Sequence, residues 1–226
     1  MQPSETFKPS LIVIWPIVFS VLFSIGGLVC VSIWTSQKGT SFDWQSNKLA
    51  VHVVLAIGFS MCQVVAVQIL KWQVNNRLLF HLIFAISACL TITLSMVAIV
   101  VSKNEAPSTS HLVSMHSWYG VLSLAVFGVV ILVGSVESGT SSSAILLFHR
   151  CTAVVSVFLT ALAIGTGIQE YESSEALARV FNQIQGIIPN RQFHFNGNTL
   201  HWVGLLIALA SISIVYSGNL CWWNYA

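Results

Sequence analysis

Four histidines carry the chemical content of this sequence. His52, His81, His116 and His149 each stand within the first few residues of a long apolar run, at successive separations of 29, 35 and 33 residues. A titratable, metal-binding side chain is costly inside hydrocarbon, so one found there is a functional candidate by default. Two neutral imidazoles facing one another are what a haem iron takes as axial ligands, and closing both axial positions favours electron transfer over oxygen binding. Zinc would ask for about four ligands in a tetrahedron, and no Cys, Asp or Glu accompanies the four histidines at a ligand-like spacing.

The elements that must position these side chains follow from composition. Of 226 residues, 55% are hydrophobic and only 7% charged, with a mean hydropathy of +0.81. A soluble surface needs about a quarter charged residues, so the chain is read as a membrane protein. A net charge of +2 gives no electrostatic footprint for nucleic acid. The five cysteines (Cys30, Cys62, Cys89, Cys151 and Cys221) form no CxxC and no even framework, and read as small apolar filler. Charged residues punctuate the chain and leave six uncharged stretches. Crossing ~30 Å of hydrocarbon takes roughly 20 helical residues. Spans are therefore expected near 10–34, 50–70, 78–102, 117–136, 146–168 and 199–221, within a single domain covering 10–222 after a short tail, 1–9. The first apolar run exceeds a signal-peptide core of roughly 7–15 residues. In the 170–198 loop, Ser173–Ile184 reads as a capped amphipathic helix at the interface.

Direction then sorts the histidines. Consecutive spans run antiparallel, so the starts of spans two and four share one face of the membrane, and those of spans three and five share the other. His52 is expected to meet His116, and His81 to meet His149. Gly58, Gly120, Gly128, Gly134, Gly165 and Gly167 are small residues that would let a porphyrin approach the helices. His194 reads as a solvated loop residue and His201 as an interfacial anchor beside Trp202.

At the residue level the sequence resembles the cytochrome b561 family of transmembrane ascorbate-dependent oxidoreductases, over about Phe42 to Ile168. "HSWYG", His116 to Gly120, is close to the family's His-Ser-Trp-x-Gly at the start of the fourth helix. "RLLFHL", Arg77 to Leu82, and "LFHR", Leu147 to Arg150, look like the starts of the third and fifth. "HLVSMH", His111 to His116, is similar to short members without extra domains. The family pattern Trp-His-Pro before the second helix is absent. Here Trp44 is followed by Gln45, and His52 is read as the ligand displaced by an insertion. The resemblance implies an all-α membrane fold of six helices, the inner four (spans two to five) holding two b-type haems. One would lie between His52 and His116 on the non-cytosolic side, and one between His81 and His149 on the cytosolic side.

It further implies cytosolic ascorbate as donor, and monodehydroascorbate or ferric chelates as acceptors. Ascorbate is an anion, and Lys71, Arg77 and Arg150 fall on the His81/His149 face, where they would bind it. The short cationic connection Lys71 to Arg77 and the family orientation put that face and both termini in the cytosol. The wider count, four cations inside against five outside, does not decide. His111 lies beside the opposite pair, where it would bind the acceptor or a metal. The expected location is an endomembrane (vesicle, lysosome or ER) or the plasma membrane, in contact with lipid, with room for a homodimer. Two other readings stay open: a cytochrome b subunit serving a quinol, and a non-haem transporter or structural membrane protein.

Overall fold

The structure, a computed structural model, describes residues 11–37, 44, 47–70, 76–105, 112, 114, 115–137, 142–184 and 205–212. All regular structure among them is helical: α1 (Leu11–Gln37), α2 (Lys48–Ile69), α3 (Arg77–Glu105), α4 (Met115–Glu137), α5 (Ser143–Ile184) and α6 (205–212). Four helices are long and apolar enough to cross a membrane, at Lys48–Ile69, Arg77–Glu105, Met115–Val136 and Ser143–Glu170. These coincide with the second to fifth expected spans. α1 covers the first, and α6 lies inside the sixth, the rest of which is outside the described residues.

The helix starts are set by their caps. Asn47 accepts a bond from the Ala50 N–H at 3.2 Å through its side chain, starting α2 five residues before His52. Ser114 does the same for α4: its hydroxyl accepts from the Ser117 N–H at 3.3 Å, which puts His116 in the first turn. Asn76 enters α3 with φ at 64°, a left-handed conformation that asparagine tolerates, and its carbonyl accepts the Phe80 N–H at 3.1 Å.

α5 departs from expectation. It runs unbroken to Ile184, so Ser173–Ile184 continues the span instead of forming a separate helix. No Gly or Pro lies between Ile168 and Gln185, so nothing in the covalent chain interrupts the hydrogen-bond ladder.

α2 and α3 pack as one antiparallel hairpin and α4 and α5 as another. α1 and α6 lie against α2 and α5: Val31, Ile57, Ile164 and Ile207 form one buried cluster, and Val64, Val157 and Ala210 a second. A hydrogen bond from the Gln68 carboxamide to Ser20 Oγ, 3.0 Å, ties α1 to α2. The face of α1 bearing Trp15, Phe19, Leu22, Ile25 and Val29 is exposed, as a lipid-facing surface would be.

Between the hairpins lies a polar joint. The Gln63 carboxamide of α2 donates to Ser156 Oγ of α5 at 2.8 Å and accepts from Thr160 Oγ1 at 3.0 Å. Ser123 of α4 bonds Thr160 at 2.6 Å. All four residues are buried. Beside them Phe59 and Phe127 meet edge to face, ring centres 5.0 Å apart. Polar groups in hydrocarbon need internal partners, and these side chains supply them to one another.

Candidate functional site

The histidines assemble in the two pairs expected from helix direction. The His52 and His116 rings have their centres 6.1 Å apart with planes at 75°. The His81 and His149 rings are 6.3 Å apart at 79°. Each pair joins the two hairpins, since His52 and His81 belong to α2 and α3 and their partners to α4 and α5.

Each ring is held by the other helix of its own hairpin. His52 Nδ1 lies 3.1 Å from the Ser95 carbonyl, and His81 Nδ1 lies 2.8 Å from that of Ala66. In the second hairpin His116 Nδ1 meets the Ala163 carbonyl at 2.7 Å, and His149 Nδ1 meets that of Val130 at 3.1 Å. A carbonyl oxygen only accepts, so Nδ1 carries the proton in all four rings. The neutral ring then has its lone pair on Nε2, the tautomer a metal-ligating histidine needs.

The spacing of these clasps repeats. His52 to Ala66, His81 to Ser95, His116 to Val130 and His149 to Ala163 are each fourteen residues. Every helix of the two hairpins thus offers a histidine near its start and, four turns on, the carbonyl that orients its neighbour's histidine. At about 1.5 Å of rise per residue, the two pairs lie roughly 21 Å apart along the helices. Halfway along each interval sit Phe59, Ala88, Ser123 and Ser156, all buried. The pairs are thus separated by a packed layer.

Two glycines fit against the rings. A Cβ at Gly167 would stand 2.7 Å from His116 Nδ1, and one at Gly134 would stand 2.9 Å from His149 Cε1. No side chain larger than hydrogen fits at either place without moving the imidazole. A Cβ at Gly120, Gly128 or Gly165 would meet nothing within 4 Å, and one at Gly58 makes only an ordinary contact with Thr91 at 3.8 Å.

These distances suit a metal held between two imidazoles. With each nitrogen about 2 Å from the metal and each ring centre roughly 1 Å further back, two axial rings stand about 6 Å apart. Among the described residues no group of three or more His, Cys, Asp or Glu could hold a metal ion unaided. A pair with two donors matches a group that brings its own equatorial ligands, as a porphyrin does.

Of the other expected site residues, Arg77 opens α3 four residues before His81, and Arg150 follows His149. Both are exposed, at the end of the hairpins that carries this pair. Lys71, His111, His194 and His201 lie outside the described residues. At the opposite end, Lys48 Nζ and Glu105 Oε2 form an ion pair at 2.7 Å that ties the start of α2 to the end of α3 beside His52. Sequence reasoning missed the orienting carbonyls and the Gln63 joint. The only signals for the joint were the polar residues Gln63, Ser123, Ser156 and Thr160 within apolar runs.

No curated protein sequence matches the chain. A family model, described as eukaryotic cytochrome b561, matches residues 50–174, which include all four paired histidines and both crossing hairpins but for the first two residues of α2. The chain belongs to the cytochrome b561 family.

Proposed function

We propose that this protein carries electrons across a membrane from cytosolic ascorbate to monodehydroascorbate or a ferric chelate on the other side. The path runs through two haems b, one held by His81 and His149 near the donor face and one by His52 and His116 near the acceptor face. Family membership supports haem b and transmembrane electron transfer. The observation that carries the finer reading is the pair of facing imidazole sets, each about 6 Å between ring centres and one near each end of the hairpins.

Haem iron supplies a one-electron carrier that alternates between ferric and ferrous. The protein's own residues do the rest. Each Nδ1–H···O=C bond fixes a ring's tautomer and orientation, so Nε2 is ready without rearrangement. With two histidines to hold it, a haem bound at either site would have no iron position left for oxygen. The buried layer around Phe59, Ala88, Ser123 and Ser156 keeps water from between the sites. A single centre would leave much of the ~30 Å of hydrocarbon uncrossed. Two, roughly 21 Å apart along the helices, divide it. Arg77 and Arg150, with Lys71, attract the ascorbate anion to the His81/His149 end. Ascorbate gives one electron to the protein and one proton to the water at that face, becoming monodehydroascorbate; at the other face a ferric chelate gains one electron, or monodehydroascorbate gains one electron and a proton from water.

The chain works as a single multi-pass unit of six spans, covering 10–222, with both termini cytosolic, in an endomembrane or the plasma membrane. His111 would serve the acceptor. The test is vectorial. Ascorbate is sealed inside liposomes containing the purified chain, and a ferric chelate that cannot cross is placed outside. Ferrous chelate should appear outside only in vesicles that contain protein. Reduction that occurs with a quinol but not with ascorbate would instead favour the quinol-linked subunit.

A further inference from the structure

The four clasps are alike in backbone and unlike in side chain. The residues whose carbonyls receive Nδ1–H are Ala66, Val130, Ala163 and Ser95. Only the last has a hydroxyl, and that hydroxyl lies 2.8 Å from His52 Nδ1, closer than the carbonyl at 3.1 Å. Its own proton has a separate destination: Ser95 Oγ donates to the His52 carbonyl at 3.0 Å. With that proton committed, Oγ faces Nδ1–H with a lone pair and shares the ring proton with the carbonyl. Ser95 has no solvent exposure, so no water competes for these bonds.

We propose that Ser95 is a positioning residue that lowers the reduction potential of the His52/His116 haem. The proposal rests on the bis-histidine haem reading above. A second acceptor on Nδ1–H draws the proton from the ring and makes Nε2 a more basic donor. A more basic axial ligand stabilises the ferric state, and hydrogen bonding around a ligand is one of the protein's means of tuning iron. The other three orienting residues, Ala66, Val130 and Ala163, have no side-chain acceptor to do the same.

Ser95→Ala removes the hydroxyl and almost no volume, while the Ser95 carbonyl still holds the ring. Ser95→Cys keeps a weak acceptor in the same place. Purified wild type and both variants are titrated potentiometrically by visible absorbance, with haem content measured alongside. The expected result is full haem content and two resolved transitions. In Ser95→Ala one transition moves to higher potential and the other stays, and Ser95→Cys falls between wild type and Ser95→Ala. The shifted transition should be the one lost in His116→Ala. Unchanged potentials with haem bound would overturn the proposal and leave the electron-transfer reading intact. Loss of one haem in Ser95→Ala would overturn it too, by making the hydroxyl an anchor. Wild-type protein without haem would overturn both.

Discussion

A methyl group at Gly167 or Gly134 tests whether the imidazoles stand where function needs them. At Gly167 it would press on His116 Nδ1 from 2.7 Å, and at Gly134 on His149 Cε1 from 2.9 Å. Overpacking of this kind costs about 1–3 kcal/mol where neighbours cannot yield, and a ring held by a carbonyl has little freedom. Gly167→Ala should therefore disturb the haem at His52/His116, and Gly134→Ala the one at His81/His149, each seen as partial haem loss or a changed absorption band. Removing the imidazoles gives the sharper partition: His81→Ala and His149→Ala should delete one haem, and His52→Ala and His116→Ala the other. If His81→Ala and His116→Ala abolished the same spectral component, the pairing would be wrong. The sequence made the histidines legible because imidazole is rare in hydrocarbon and recurs at helix starts. The six glycines read in the sequence as room for a porphyrin, and two of them, Gly134 and Gly167, stand against the His149 and His116 rings. A ring's resting place depends on which helix lies opposite, which no local pattern states.

Among the helices, the second to fifth spans were readable from the spacing of charged residues, while the caps that start two of them, Asn47 and Ser114, emerged only with the structure. The length of α5 was not readable either. Ser173 resembles a cap, but a cap acts only where the preceding chain leaves the helix, and Gln169 to Ser174 has no residue that makes it do so. The joint at Gln63 was also hidden, because a glutamine in an apolar run gives no sign of its partner. Its bonds to Ser156 and Thr160 cross from one hairpin to the other between the two histidine pairs. Hydrogen bonds between membrane helices contribute about 0.6–1.7 kcal/mol. Gln63→Leu should lower the thermal midpoint by an amount corresponding to roughly 1–2 kcal/mol. It should weaken haem retention at both pairs alike, since the joint serves both. A loss confined to one pair, measured by haem absorbance during heating, would show that the hairpins are not held together there.

On the scale of the whole molecule, the two ends are chemically different. Arg77 and Arg150 are exposed at the His81/His149 end, with Lys71 nearby in sequence. Each exposed cation contributes about 1 kcal/mol or less to drawing in an anion. Replacing all three with Gln should slow reduction by ascorbate several-fold while both haems remain bound. A neutral reductant should be affected far less. Added salt should slow the wild type more than the triple variant, because screening acts on the charges that were removed. Equal ascorbate kinetics in stopped-flow would make these side chains membrane anchors only. The pairing of the ends was legible because antiparallel succession alone brings alternate helix starts together. The fourteen-residue repeat that spaces the pairs emerged only with the helices in contact.

Whether these histidines hold two haems is decided by counting haem b per chain in protein purified from haem-replete cells, with spectra before and after ascorbate. About two low-spin haems per chain should be found, both reducible by ascorbate, falling to one when either pair loses a histidine. A colourless protein, or haem content unchanged by His81→Ala and His116→Ala together, would show that these histidines do not.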